Sequence, residues 1–408
     1  MRSTGVGVSQ LKDPFAAGKE AASQAIEATA GRPVGLCLVF SSSRYNPEKL
    51  LEGVKSVLGP VPIAGCTTAG EITPAGPLEG SVAVMVISAD VARAGIGLGK
   101  SVGKKPREAG REAISSAIRD LGYPTLCLAA PSLEERLPGY VPFFVLMFPD
   151  GLSGEEEDII EGMKDVLGNY FPIVGGSAGD DLKLKRTYQF CTEGVFTDAV
   201  VCVLVATNHP VGFGSKHGWR PLDRLALVTK SSGRVVKELN HRPAAEVYAE
   251  MLKVSFEDLR EGVIAWREGL SNPLGMPDLL GEVWLRHPQA LLKDGSISFF
   301  SRVPEGVALR LMHGRKEDLI KAARDAASEA LESCGKPREI EAAIVFNCVA
   351  RYKFLGEEGA KEEVRELKKV LGDVPLIGFY TYGEQGFTPG GMIGHRNQTI
   401  TMCLIGRR

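Results

Sequence analysis

Short unbroken apolar runs alternate with amphipathic stretches along most of this 408-residue chain. Val34–Phe40 is the first such run, bounded by Pro33 and the serines at 41–43. Its length and lack of polar interruption predict a strand buried on both faces. Ahead of it, Pro14–Ala30 places Phe15, Ala22 and Ile26 on one helical face and stops before Gly31. Residues 1–13 read as irregular. After the strand, a helix opens at Ser43 or at Asn46-Pro47 and runs to Leu58, with Leu50, Leu51, Val54 and Val57 inward. A short strand starts at Ile63, a buried one covers Ser81–Ser88, and Ala92–Leu98 reads as its hairpin partner.

The pattern then restarts. Helix Lys105–Leu121 has Pro106 in its first turn. Strand Val141–Phe148 precedes a helix over Gly154–Leu167, whose head run Glu155–Asp158 suits the positive helix start. Phe171–Val174, Thr187–Cys191, Ala199–Val205 and Val211–Ser215 read as strands. A third round comprises helix Arg315–Leu331, strand Glu341–Asn347, helix Glu357–Leu371, a strand after Pro375 and a closing strand Thr399–Ile405. Before that round, the spacing predicts hairpin Leu225–Thr229/Val235–Leu239, helix Pro243–Leu252, an irregular segment with short strands over 254–295, and a hairpin Ser296–Phe300/Gly306–Met312.

Three small-residue loops mark the repeat. Pro62-Ile-Ala-Gly-Cys-Thr-Thr-Ala-Gly-Glu71 returns as Pro172-Ile-Val-Gly-Gly-Ser-Ala-Gly-Asp180 and as Pro375-Leu-Ile-Gly-Phe-Tyr-Thr-Tyr-Gly-Glu384. Each follows a Lys-x-Val-Leu-Gly step that begins at Lys55, Lys164 or Lys368. Helices between strands, with hairpins, imply a mixed-sheet α/β fold with internal repeats in two domains. The expected division is a lead-in over 1–29, a domain over 30–222 made of two units (30–120 and 121–222), and a domain over 223–408 holding the third.

Composition narrows the function classes. A net charge of -2 gives no global attraction to nucleic acid or anionic membrane. The eight cysteines show no C-x-x-C pair, and Cys37, Cys127, Cys202 and Cys403 lie in apolar runs, which fits a reducing compartment. Neither a signal-peptide pattern nor a membrane-length apolar run is present, so a cytoplasmic protein is expected. No two histidines stand at ligand spacing, and neither metal nor cofactor is expected. Ala94-Gly-Ile-Gly-Leu-Gly-Lys-Ser101 is one residue from a phosphate loop. Its helix starts too late, however, and Val211-Gly-Phe-Gly-Ser-Lys216 fills the same place in the next unit. The glycine alternation reads as a strand in close backbone contact.

The loops supply the candidate chemistry. Gly65, Cys66, Thr67, Thr68, Gly70 and Glu71, with Gly176, Ser177 and Asp180, offer backbone N–H groups, hydroxyls and carboxylates. Glu71, Asp180 or Asp181, and Glu384 are candidates for holding an ammonium. Arg351 is a candidate for a carboxylate. Tyr380 and Tyr382 alternate on one face of the third loop's strand. Cys348 and Asn397 complete the candidate set. The expected ligand is a small polar or zwitterionic metabolite, with specificity written in the varied side chains of the loops. Two alternatives stand beside it. One is a hydrolase or transferase built on Cys66, Cys348, Glu71 and His395. The other is a protein-interaction scaffold whose loops fill one another. Asp150 reads as a cap.

Gly65–Glu71, the Cys348-Val-Ala-Arg351 step, Phe379–Glu384 followed by Asn397–Thr401, Pro243–Tyr248 and the Pro304-Glu-Gly306 tip together resemble the FIST family, with an N domain near 30–222 and a C domain near 223–400. The resemblance implies a sensory module of signal transduction that binds small ligands such as amino acids. With no output domain in this chain, it implies signalling through a partner protein in trans.

Overall fold

The computed structural model describes residues 2–122, 143–261, 267–278, 281–388 and 393–407. Its core is one unit used three times. The first comprises β1 (Thr4–Ser9), α1 (Pro14–Ala28), β2 (Val34–Ser42), α2 (Pro47–Leu58), β3 (Ile63–Thr68), hairpin β4 (Glu71–Thr73) and β5 (Gly76–Leu78), and β6 (Val82–Ser88). The second repeats this as β7 (Arg93–Lys100), α3 (Pro106–Leu121), β8 (Phe143–Pro149), α4 (Glu156–Leu167), β9 (Ile173–Gly176), β10 (Gln189–Cys191), β11 (Gly194–Phe196) and β12 (Ala199–Ala206).

The third starts with β13 (Val211–Lys216) and is then interrupted. The insert holds β14 (Arg220–Ser232), β15 (Val235–Leu239), β16 (Arg242–Pro243), α5 (Ala244–Leu252), α6 (Phe256–Glu261), α7 (Glu268–Ser271), β17 (Leu274–Pro277), β18 (Val283–Arg286), β19 (Pro288–Leu291), β20 (Ile297–Phe299) and β21 (Ala308–His313). The unit resumes with α8 (Lys316–Ser333), β22 (Ile340–Cys348), α9 (Val349–Leu371, kinked at Gly356), β23 (Leu376–Thr381), β24 (Glu384–Gly386), β25 (Gly394–Arg396) and β26 (Ile400–Gly406). The architecture is the mixed α/β expected. The first two residues of the strand predicted over Val141–Phe148, and Cys127, lie outside the described residues.

Each unit builds one six-stranded sheet, and the three sheets share one order. They read β1-β6-β2-β3-β10-β11, β7-β12-β8-β9-β24-β25 and β13-β26-β22-β23-β4-β5. In each, one central pair is parallel and the remaining pairs are antiparallel. The last two strands always come from another unit. Unit two lends its hairpin to unit one, unit three to unit two, and unit one to unit three.

The repeated lysines serve this exchange. Lys55 Nζ donates to Thr192 O (2.9 Å), Lys164 Nζ to Ile393 O (3.5 Å) and Lys368 Nζ to Pro74 O (3.1 Å). Each therefore grips the hairpin its own sheet receives. The lysine carbonyls accept from Gly59, Gly168 and Gly372, which close the three helices.

Ala92–Leu98 is not the hairpin partner of Ser81–Ser88, because β6 pairs with β1 and β2 in one sheet whereas β7 pairs with β12 in the next. Two further expectations are corrected here. Residues 1–13 are not irregular, because β1 pairs antiparallel with β6. Its signal was the alternation of Gly5 and Gly7, the same device as Gly95-x-Gly97-x-Gly99 and Gly212-x-Gly214. An alanine-rich helix lies directly on each of these strands. A Cβ on Gly5, Gly97 or Gly214 would sit 2.0, 1.8 or 2.0 Å from the carbonyl oxygen of Ala25, Ala113 or Ala326. The phosphate-loop look-alike is thus an edge strand under a helix. Secondly, β20 and β21 do not form a hairpin. β20 pairs with β15 and β19, whereas β21 pairs with β14 and β17.

The units meet on a shared aromatic core. Phe40, Phe148 and Phe346 hold equivalent strand positions, with ring centroids 5.6 Å (Phe40–Phe148) and 6.2 Å (Phe148–Phe346) apart. Phe379 touches all three at 4.6, 6.4 and 5.7 Å. The equivalent positions in the other units are Cys66 and Gly176. A Cβ on Gly176 would already lie 2.9 Å from Phe379. One large and two small residues therefore share one axial space, as close packing demands.

Candidate ligand-binding site

The three glycine loops converge, as the repeat predicts, but they spend their polar groups on one another. Gly179 N donates to Thr67 O (2.9 Å), Asp181 N to Thr68 O (3.0 Å), Ala69 N to Tyr380 O (3.0 Å), and Ser177 N to Gly383 O (2.8 Å). The backbone cradle expected for a ligand is thus occupied by protein. Gly65 lies against Val39 and Gly70 against Tyr380, which leaves no opening at either. Cys66 is fully buried beside the phenylalanine cluster, so this varied loop position serves packing rather than specificity.

The loop acids lie inside rather than at the rim. Glu71 accepts from Thr68 Oγ1 (2.5 Å), Ser81 N (3.3 Å) and Ser81 Oγ. Glu384 accepts from Thr399 N (3.0 Å) and Thr381 Oγ1. Asp180 accepts from the amides of Leu184, Lys185 and Arg186 and from the Tyr382 hydroxyl. Asp150 takes the equivalent capping place in unit two, accepting from Asp198 N (3.1 Å) and Thr187 Oγ1 (2.7 Å).

Burial pushes both Glu71 and Glu384 up to about 8. Their sign for stability follows. A carboxyl whose folded pKa is raised stabilises the fold fully below its unfolded value and loses that contribution as pH climbs through the folded one. His217 and His395, held near 4 by burial, act in the opposite direction between about 4 and 6.5. Above 6.5, and below the range where unfolded thiols ionise, the buried carboxyls dominate. Urea unfolding is therefore expected to show stability falling from pH 6.5 to pH 8, with the slope reduced in Glu71→Gln and Glu384→Gln.

Arg351 is not available to a ligand carboxylate. It is fully buried and donates to Asn347 Oδ1 (3.0 Å), Leu319 O (2.9 Å), His217 O and Glu363. Tyr380 is buried against Tyr352, with ring centroids 4.6 Å apart. The seven cysteines among the described residues are buried and unpaired. Burial and the neighbouring Glu71 or Glu384 hold the Cys66 and Cys348 thiols well above their ordinary range, unlike an activated nucleophile. No group of three or more His, Cys, Asp or Glu among the described residues could hold a metal ion.

A cavity of about 510 Å³ opens beside the interlocked loops. Its floor is the β8–α4 junction of unit two (Gly151, Leu152, Gly154, Glu156) and the β22–α9 junction (Cys348, Val349, Ala350). Tyr382, Asn397 and the 182–185 loop form its walls, and the insert roofs it with Arg234, His287, Gln289 and Phe300. Of the predicted residues, Cys348, Tyr382 and Asn397 reach it. Ser177 lies just beneath, and its hydroxyl donates to Glu156 Oε1 (3.1 Å). Gln385 Nε2 donates to Ser177 Oγ (3.0 Å) and lies 3.3 Å from His395 Nδ1. Asn397 Oδ1 accepts from Ser301 Oγ (2.8 Å), which ties the wall to the insert.

Glu156 is the residue that sequence reasoning missed. It is 2% exposed, its Oε2 has no hydrogen-bond partner among the described residues, and burial raises its pKa to about 7. Within the acidic run it looked like one more charge favouring the helix start. The tertiary structure separates the run. Glu155, Glu157 and Asp158 bind the insert, with Asp158 paired to Arg302 (2.5 Å), Glu155 to Arg302 (3.4 Å) and Glu157 to Arg286 (3.9 Å). Glu156 turns inward.

Repeats, exchanged hairpins and a roofed cavity define a threefold α/β core carrying an inserted sheet. The chain belongs to the FIST family. The FIST N domain matches residues 35–242 and the FIST C domain residues 244–387. FIST domains are associated with sensory signal transduction and small-ligand binding. An uncharacterized protein of Methanocaldococcus jannaschii is 26% identical over 79% of this chain, and the chain spans 62% of that relative's length. An uncharacterized protein of Mycobacterium tuberculosis is 25% identical over 98% of this chain and 99% of its own. A crystal structure of cyanuric acid hydrolase from A. caulinodans aligns over the whole of both chains at 9% identity with a TM-score of 0.34, too weak to carry an argument. No helix among the described residues is long and apolar enough to cross a membrane.

Proposed function

We propose that this chain is a cytoplasmic sensory protein whose small zwitterionic ligand, an amino acid or a close relative, occupies the roofed cavity. Glu156 carries the reading. A buried carboxylate oxygen without a partner is costly, and an ammonium or amide donor placed there would satisfy it. Lys185 in the wall and Arg234 in the roof, the latter lying against Gly154, supply charge for a carboxylate, and Leu152, Val349 and Phe300 supply apolar surface. The original candidate residues act around this ligand. Cys348, Tyr382 and Asn397 line it, Ser177 orients Glu156, and the glycine loops, Glu71, Asp180, Glu384 and Arg351 hold the frame. Because the roof belongs to the insert and the floor to the core, the ligand bridges both, and a partner protein in trans could read that contact.

A thermal-shift panel of amino acids tests the reading. A ligand that binds only the folded chain stabilises it by about 2.7 kcal/mol at a hundred times its Kd. At least one amino acid is expected to raise the melting temperature. The absence of any shift across amino acids and related carboxylates would reject the reading.

A further inference from the structure

A second cavity, of about 340 Å³, lies between α8, the start of the insert and β25. It shares no lining residue with the first. Arg396 is 6% exposed, and its guanidinium lies over the Trp284 ring at 4.8 Å. Its Nη2 donates to Thr388 Oγ1 (3.2 Å) and stands 3.7 Å from Glu282, while Nε has no partner among the described residues. Ser215, 8% exposed, has a hydroxyl that is likewise unpartnered. The two groups meet over Gly386, where a Cβ would sit 2.6 Å from Arg396 Nε and 3.3 Å from Ser215 Oγ. Only glycine lets these two side chains pack so closely on the backbone there. Asp318 on α8 pairs with Arg220 through one oxygen, and its Oδ2 has no partner.

We propose that this cavity is a second binding site, for a small hydroxycarboxylate. A buried arginine stacked on an aromatic ring presents planar donors that match a carboxylate. The nearby Glu282 and Asp318 disfavour a multiply charged phosphate and favour a monoanion that also carries a donor. The carboxylate bonds to Arg396 and Ser215, and the hydroxyl donates to Asp318 Oδ2. The chain passes between the two cavities at the end of β25, since Arg396, its last residue, lines the second and Asn397, the residue after it, lines the first.

Lactate is a suitable probe because it lacks the ammonium that Glu156 is proposed to read. Calorimetric titration of the full chain with lactate is expected to show one site, and the emission of Trp219, on the cavity wall, to change at the same concentrations. Arg396→Gln is expected to weaken lactate binding by about tenfold or more, and Ser215→Ala by about threefold. Glu156→Gln is expected to leave it unchanged. If Arg396→Gln does not fold, Ser215→Ala carries the comparison. No lactate binding up to tens of millimolar, binding indifferent to the foldable variants, or binding lost in Glu156→Gln would each overturn the proposal. None of these results depends on whether the first cavity binds amino acids.

Discussion

Arg351→Met is expected to lower the unfolding free energy by about 3–5 kcal/mol, the range for removing one partner of a buried ion pair. Arg351 and Glu363 are 0% and 1% exposed, and each is satisfied by the other together with Asn347, whose Nδ2 donates to Glu363 at 2.6 Å. Methionine fills much of the volume but leaves the Glu363 carboxylate charged, buried and short of a donor. Arg351→Met combined with Glu363→Leu removes both charges, so the double variant is expected to recover most of the loss. Urea unfolding midpoints at constant slope measure this. A single variant within about 1 kcal/mol of the parent would show that the pair is not the structural tie described. The folded fraction should bind ligand normally, since Arg351 does not line the cavity.

Glu156→Gln is expected to cut the affinity for an amine-bearing ligand by about ten- to a hundredfold, the value of a hydrogen bond to a charged group at about 1.5–3 kcal/mol. The pH dependence separates this from simple misfolding. With Glu156 near 7 in the free protein, an ammonium ligand must first take up the deprotonated form. Affinity therefore rises as pH increases to about 7 and then levels off, and each pH unit below that costs about tenfold. The Gln variant is expected to show a flat profile. A sloping profile in the variant would place the titrating group elsewhere, and unchanged affinity would remove Glu156 from the site.

These two residues also show where sequence reading succeeds and where it stops. Arg351 stood in a motif and invited a ligand role. Its partners, Glu363 twelve residues on and the carbonyls of Leu319 and His217, are assembled only by folding. Glu156 stood in a charge run and invited no role. The run is divided by helix geometry, with three members facing the insert and one facing the cavity. Loop acids such as Glu71 looked available because sequence shows a carboxylate but not the Ser81 and Thr68 donors that claim it.

The chain's own pattern determined the strand and helix alternation, the threefold repeat, the close-packed glycine strands and the mixed α/β class. Each is set by local periodicity or by a residue type that one backbone geometry requires. The tertiary structure alone decided the hairpin exchange, the axial trade of Cys66, Gly176 and Phe379, and the position of the cavity beside the glycine loops. Those depend on which distant groups satisfy one another. The repeated Lys-x-Val-Leu-Gly step was plain in the sequence, yet its purpose appeared only once the hairpin of another unit lay beneath each lysine.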